Sequence, residues 1–144
     1  MSVRSILEEK GRDVFTMRPE AKLSEAAAEL ASRRIGALVL LGDDGRIAGI
    51  LSERDIVRVV GTTGAGGLEQ SAAQVMTTRV VTCGEEASID EVMETMTKGR
   101  FRHLPVAEDG RLVGIVSIGD VVKRRIAEAV REAEDMRTYI TAGG

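Results

Sequence analysis

The sequence of 144 residues has very few aromatic side chains, with one Tyr, two Phe and no Trp. We therefore expect any ligand to be held by aliphatic and polar groups and not by stacked rings. It also lacks an excess of basic residues, since 20 Lys and Arg face 23 Asp and Glu for a net charge of −3. Sequence-independent binding of nucleic acid needs a basic face, so this balance argues against a nucleic-acid partner.

Cysteines and long apolar runs are scarce as well. The single cysteine, Cys83, cannot form an internal disulfide, and the first 13 residues alternate charged with apolar side chains, unlike a signal peptide. We therefore predict a reducing, cytoplasmic location. The apolar run at residues 37–41 is far shorter than the roughly 20 residues that cross a bilayer. We expect a soluble protein with no membrane partner.

One long stretch of the sequence occurs twice. Residues 16–41 align with residues 82–107 at an offset of 66, and residues 45–58 align with residues 110–123 at an offset of 65. The missing residue falls where LGDDG in the first copy faces AEDG in the second, and turn tips tolerate changes of length well. The sequence therefore predicts two copies of one structural unit.

Each copy has the pattern of two helices and a hairpin. Apolar residues recur at i, i+3, i+4 and i+7 from Leu23 in the first copy and from Ile89 in the second, which is typical of an amphipathic helix. Two short apolar runs separated by an acidic, Gly-containing turn follow and predict a hairpin. A second helix then begins at Ser52 or Ser117. With a short lead strand, each copy is a β-α-β-β-α unit of the α/β (α+β) class.

The repeat sets the predicted domain boundaries. We place the first copy, together with its N-terminal lead-in, at residues 1–60, a connector at 61–73, the second copy at 74–125 and a helical tail at 126–144. The connector is rich in Gly and small residues, so we expect it to be flexible.

The sheet of each copy is too small to stand alone, so we expect the two copies to pack sheet to sheet about a pseudo-twofold axis. Such an arrangement creates two related clefts. The tail helix carries an apolar seam that includes Ile126, Val130 and Tyr139, and no element of the repeat is left to cover it.

Several of these segments resemble the cystathionine beta-synthase (CBS) domain family, and the resemblance covers residues 11–125. It is carried by GILSERDI at 49–56, GIVSIGDV at 114–121, RHLPV at 102–106 and VMTTRVVT at 75–82. The resemblance implies a disc-like, non-catalytic module that usually forms a homodimer when free-standing. It also implies clefts that hold adenine nucleotides such as AMP, ADP, ATP, NAD(H) or S-adenosylmethionine.

The paired Ser-x-x-Asp motifs are candidate nucleotide sites. Ser52 and Ser117 stand at helix N-termini, where free amide groups and a partial positive charge favour phosphate. The resemblance implies that Asp55 and Asp120 accept hydrogen bonds from the ribose hydroxyls. Alternatively, each motif is only a helix cap that contributes about 1 kcal/mol, and the two interpretations are compatible.

Two basic residues distinguish the second copy from the first. The resemblance implies that Arg102 and His103 contact phosphate, whereas the first copy has Gly36 and Ala37 at these positions. Arg54, which has no basic counterpart in the second copy, could substitute for them. The two clefts should therefore differ.

The remaining candidates lie on strands or beside the motifs. Pro105 fits an edge or bulged strand, where it would leave an acceptor row open to a base edge or simply mark the edge of the sheet. The resemblance implies that Thr16 and Thr82 lie beside the adenine, although both could be ordinary strand residues. Ile118, within the second motif, completes the predicted nucleotide-binding set.

We therefore expect a regulatory module, not an enzyme, that binds an adenine nucleotide and signals its presence to a protein effector. One alternative is a dimerising scaffold with vestigial clefts. Another is a small enzyme resting on Cys83 and His103, although no third group is present to orient that pair. One His and one Cys do not make a metal site.

Overall fold

The computed structural model describes residues 1–143 and confirms the predicted order of helices and hairpins in both repeats. In chain order these are α1 (Val3–Lys10), β1 (Thr16–Met17), α2 (Leu23–Arg33), β2 (Ala37–Leu41), β3 (Ile47–Ser52), α3 (Glu53–Thr63), α4 (Ile89–Gly99), β4 (His103–Glu108), β5 (Arg111–Ser117) and α5 (Ile118–Gly143). Helix α1 is an addition that the repeat pattern did not predict.

The amphipathic helices α2 and α4 bury the stripes that their spacing predicts. Leu23, Ala26 and Leu30 are buried on α2, and Ile89, Val92 and Met96 are buried on α4. Burial of these apolar side chains is the main stabilising contribution of both helices.

Two small sheets carry the hairpins in matching register. In the first, β1 runs parallel to β2 and β2 pairs antiparallel with β3, with Ala37 opposite Ser52. In the second, β4 pairs antiparallel with β5, with His103 opposite Ser117. The predicted lead strand of the second copy is reduced to a single parallel bridge between Cys83 and Val106.

The two repeats exchange the segments that precede their lead strands. Helix α1 precedes the first repeat but buries Val3 and Leu7 in the core of the second, around β4, β5 and α4. Conversely, Ala72 precedes the second repeat and is buried in the core of the first, with Met76 packed against it. Each core is therefore completed by residues from the other half of the chain.

The segment at residues 61–73 differs from the flexible connector that its composition suggested. Helix α3 continues to Thr63, and two short 3₁₀ helices follow at Ala65–Glu69 and Ala72–Gln74. Leu68 packs against the first core, and the Gly67 backbone is buried beside Val59. Small residues permit this close packing, which composition alone does not distinguish from a linker.

The predicted pseudo-twofold axis is visible in one backbone bridge between the repeats. Arg46 pairs antiparallel with Arg111, the residue that matches it at the offset of 65. The Arg46 guanidinium lies beside Gly110, and the Arg111 guanidinium lies beside Gly45. A residue that pairs with its own counterpart lies on the axis that relates the two copies.

The last helix is longer than its counterpart in the first repeat. α5 runs without interruption from Ile118 to Gly143, and the last residue of the predicted tail lies outside the described residues. Ile126, Val130 and Tyr139 are exposed by 59%, 52% and 80%, so the apolar seam of the tail is uncovered within this chain.

Candidate functional site

A cavity of about 360 Å³ lies between the repeats, and we call it the arginine cavity. Its walls come from the start of α3 in the first repeat and from the start of β4 in the second. The irregular segment at residues 77–81 closes a further side. It is therefore one of the clefts that the pseudo-twofold arrangement predicts.

The start of α3 is fixed by a capping box at the cavity wall. The Asp55 amide donates to Ser52 Oγ at 3.4 Å, and the Ser52 amide donates to Asp55 Oδ2 at 2.9 Å. The cap interpretation is thus confirmed for this motif. Asp55 is only 9% exposed, and its second oxygen, Oδ1, has just a long contact of 3.4 Å from Arg58 among the described residues. That oxygen keeps capacity to accept further hydrogen bonds.

Five arginines line the cavity against two carboxylates. The arginines are Arg54, Arg58, Arg79, Arg100 and Arg102, and the carboxylates are Glu53 and Asp55. Within residues 1–143, Arg58 is the only one of the five with an ion pair, to Asp55. An excess of three positive charges therefore converges on one cavity of an acidic chain. This arrangement favours an anionic ligand.

Sequence reasoning found two of these arginines and missed three. Arg54 and Arg102 were predicted, whereas Arg58, Arg79 and Arg100 were not. Arg100 ends α4 in the left-handed conformation with φ of 56°, and Arg79 lies in the non-helical segment before α4. Neither segment has a periodic pattern that indicates which way its side chains face.

His103 lies half-buried at the junction of the repeats. A Cβ atom at Gly36 would lie 2.9 Å from His103 Cε1, so the glycine in the first copy provides space for the imidazole from the second. Burial lowers the pKa of His103, although the nearby Glu53 opposes this effect. His103 is therefore mainly neutral near pH 7 and adds little to the charge of the cavity.

Pro105 also lines the arginine cavity, but its carbonyl group is not part of an open row of acceptors. The Cys83 amide donates to the Pro105 oxygen at 3.1 Å, and the Ala107 amide donates to the Cys83 oxygen at 2.9 Å. The lead-in segment of the second repeat thus pairs with the strand edge that we expected to be open to the base of a nucleotide. Pro105 contributes an apolar surface instead.

The start of α5 repeats the capping motif in different surroundings. The Asp120 amide donates to Ser117 Oγ at 3.1 Å, and the Ser117 amide donates to Asp120 Oδ2 at 2.8 Å. Lys10 of α1 also donates to Asp120 Oδ2, at 2.7 Å. Burial alone would raise the pKa of Asp120, but the hydrogen bonds from Lys10 and Ser117 outweigh burial and lower it. This carboxylate already has a cationic partner.

The predicted site residues are distributed unequally between two cavities. Six of them line the arginine cavity, namely Ser52, Arg54, Asp55, Arg102, His103 and Pro105. Asp120 lines a smaller cavity of about 250 Å³ between α1 and α5. Thr16, Thr82, Ser117 and Ile118 line neither of these two cavities.

Cys83 does not have the character of a nucleophile. Burial, together with the negative charge of Glu108, raises the pKa of its thiol to about 11. A thiol needs to lose its proton to react, so this environment disfavours reaction near pH 7.

Among the described residues, no group of three or more His, Cys, Asp or Glu side chains is placed to hold a metal ion. None of the helices described is long and apolar enough to cross a membrane.

Comparison with known proteins gives a consistent result. The family model for the CBS domain matches residues 3–62 and 72–127. The crystal structure of a CBS-domain containing protein from Agrobacterium tumefaciens is 50% identical, covers 86% of this chain and 92% of that one, and superposes with a TM-score of 0.84. The CBS domain pair of protein MJ0100, in complex with 5′-methylthioadenosine and S-adenosyl-L-methionine, is 26% identical with a TM-score of 0.79, over 89% of this chain and 98% of that one.

A curated relative is the CBS domain-containing protein CBSX3, mitochondrial, of Arabidopsis thaliana. It is 32% identical over 123 residues, which are 83% of this chain and 60% of that protein. The present chain thus spans less than two thirds of the length of this relative.

Proposed function

The chain belongs to the CBS domain family, and from this premise we propose that it is a regulatory module that binds an adenine nucleotide in the arginine cavity. The MJ0100 relative holds two adenosine-containing ligands, which supports this class of ligand. In our proposal the ligand is a phosphate-bearing nucleotide of the AMP, ADP, ATP or NAD(H) type. Its presence is passed to a protein effector, and the chain itself is not an enzyme.

The observation that carries the proposal is that five arginines line a single cavity, four of them without an ion pair among the described residues. Arginine forms strong, charge-assisted hydrogen bonds with phosphate oxygens, and the N-terminus of α3 adds free amide groups. Asp55 Oδ1 has spare capacity to accept a hydrogen bond from a ribose hydroxyl. The same cavity therefore offers partners to both the sugar and the phosphates.

The excess of three positive charges also ranks the ligands. An uncharged nucleoside such as 5′-methylthioadenosine leaves the arginines without partners, AMP neutralises part of the charge, and ADP or ATP neutralises most of it. We therefore expect affinity to increase with the number of phosphates. The physical reason is that electrostatic attraction in a partly enclosed cleft grows with the charge of the ligand.

Calorimetric titration with 5′-methylthioadenosine, AMP, ADP, ATP and NAD tests the proposal. We expect ATP and ADP to bind most tightly, and Arg102→Ala to weaken both much more than it weakens 5′-methylthioadenosine. Arg131→Ala, on the exposed part of α5, is the matched control and should leave all affinities unchanged. Absence of binding by every nucleotide would favour the alternative of a scaffold with vestigial clefts. Equal affinity for 5′-methylthioadenosine and ATP would refute the role of the arginines.

We further propose that the module assembles as a homodimer through helices α3 and α5. Val57 and Val122 match at the offset of 65 and are exposed by 69% and 40%, and Ile126 extends this apolar surface along the tail. Light scattering should report a dimer, and Ile126→Glu should reduce its stability. A monomer at working concentration would refute the assembly. A dimer that survives truncation after Arg125 would assign the tail to the effector.

The half-buried free cysteine, Cys83, is compatible with a reducing compartment, and we propose the cytoplasm. The raised pKa of Cys83 supports a role without nucleophilic chemistry.

A further inference from the structure

We propose that the chain binds one nucleotide and not two, because its own N-terminal helix closes the second cleft by placing Lys10 on Asp120. The second cleft is the pseudo-twofold counterpart of the arginine cavity and lies at the start of α5. This inference rests on the proposed function for its ligand, but the closure itself is a property of the chain alone. Lys10 and Asp120 come from opposite ends of the sequence, so sequence patterns gave no indication of their contact.

The Lys10 ammonium group makes two hydrogen bonds in the second cleft. It donates to Asp120 Oδ2 at 2.7 Å and to the Ile115 carbonyl oxygen at 3.0 Å. At the matching place in the arginine cavity, the Ile50 carbonyl accepts from the Thr77 amide at 3.0 Å, and no lysine reaches Asp55 within the described residues. A ribose hydroxyl approaching Asp120 would thus have to compete with an ammonium group already in place.

Helix α1 is anchored and does not have the character of a mobile lid. Leu7 is fully buried against Gly114 of β5, where a Cβ atom would lie 2.7 Å from its Cδ2. The Val3 amide donates to the Ala87 oxygen at 2.9 Å, and Glu9 accepts from Arg124 of α5 at 2.8 Å. Lys10 therefore extends from a helix that is packed into the second core.

The second cleft has also lost most of the positive charge that marks the first. At the repeat offsets, Arg54 corresponds to Gly119, Arg79 to Asp13 and Arg102 to Gly36. Only Arg58 and Arg100 keep basic counterparts, which are Lys123 and Arg34. This divergence is independent of the Lys10 contact, and it leaves two of the five basic positions to hold phosphates even if Asp120 were free.

Calorimetric titration with ATP tests the stoichiometry directly. We expect one equivalent per chain for the wild type. Asp55→Asn should weaken binding about tenfold or more, since it removes hydrogen bonds to a charged group. Asp120→Asn, the matched variant at the other helix start, should leave the affinity within about twofold. Two equivalents per chain, or equal losses in the two variants, would overturn the proposal.

A second measurement requires no ligand. The ¹³C signal of the Asp120 carboxyl group, followed as the pH is lowered, should titrate at a higher pH in Lys10→Met than in the wild type. Lys98→Met, which breaks an exposed ion pair with Glu94, is the control and should leave this titration unchanged. An unchanged Asp120 titration in Lys10→Met would refute the closure. If no nucleotide binds the wild type while Lys10→Met shifts the titration, the proposed function fails and the closure stands.

Discussion

At the start of α3, Asp55 lies in a cavity with five arginines, whereas at the start of α5 its counterpart Asp120 is bound by Lys10. Each carboxylate accepts a hydrogen bond from the amide of the serine three residues earlier, Ser52 or Ser117. The helix cap is therefore retained in both copies, while the surrounding charges differ. The two copies thus share the structural role of the motif, whereas the proposed nucleotide-binding role falls to the first copy alone. Substitutions at four positions test this difference between the two copies.

The largest expected effect comes from removing the anchor of α1. Leu7 is fully buried in the second core, so Leu7→Ala should lower the free energy of unfolding by about 2 to 5 kcal/mol. Met76→Ala, on the segment that covers the first core, should cost less because Met76 is only half-buried. Urea denaturation measures both. A cost below about 1 kcal/mol for Leu7→Ala would show that α1 is not an integral part of the second core.

The second-largest effect distinguishes two arginines that share the same backbone conformation. Arg100 and Arg34 both end a helix in the left-handed conformation, with φ of 56° and 54°, but only Arg100 lines the arginine cavity. Arg100→Ala should weaken ATP binding by about 1.5 to 3 kcal/mol and reduce its dependence on salt. Arg34→Ala should change neither quantity. Equal effects of the two variants on ATP titrations would mean that the clefts do not differ in this way.

A smaller effect concerns the pH dependence of stability through His103. Glu53, Lys10, Asp120 and Arg102 all act on this imidazole, and burial lowers its pKa below 6.5 in the folded chain. As the pH falls through 6.5, the unfolded chain therefore takes up the proton first and the folded state loses stability.

The matching measurement is urea unfolding of the wild type and His103→Gln at several pH values. The loss should be at most about 1.4 kcal/mol per pH unit, and it should be absent from His103→Gln. Parallel curves for the two proteins would contradict a lowered pKa.

The smallest effect is that of the Lys10 ion pair on stability. Lys10→Met should lower the free energy of unfolding at pH 7 by about 0.5 to 1 kcal/mol, since both side chains are partly exposed. The pKa of Asp120 is lowered from 3.8, so this contribution is present above that pH and is lost as the pH falls further. Thermal unfolding of both proteins from pH 7 to pH 2 measures it. A difference that persists at the lowest pH would show that lost packing, not charge, causes the effect.

The repeated elements could be predicted from the sequence because their patterns are local. The apolar stripes that begin at Leu23 and Ile89 determine α2 and α4. The capping serines, Ser52 and Ser117, determine where α3 and α5 begin, and the order of elements follows. Helix α1 has a similar stripe at Val3, Ile6 and Leu7, but it spans only eight residues and its partners lie about a hundred residues away. A stripe this short is not diagnostic without its partner surface.

The site was predicted only as far as its motifs extend. Ser52, Asp55, Arg102 and His103 belong to the repeated segments, and the structure brings them together around one cavity. Arg79 faces the cavity from a segment without periodicity, and only the path of the backbone determines its direction. Likewise, no pattern in the sequence pairs Lys10 with Asp120, since that contact depends on the exchange of lead-in segments between the repeats.

The exchange of lead-in segments has a consequence for the order in which the chain folds during synthesis. Helix α1 leaves the ribosome before the other elements described here, whereas the strand it covers, β5, ends only at Ser117. The N-terminal helix must therefore wait unpaired until most of the chain has emerged. Contacts between residues so far apart in sequence are slow to form. Closure of the second core, and with it the placement of Lys10, therefore has to follow the emergence of β5.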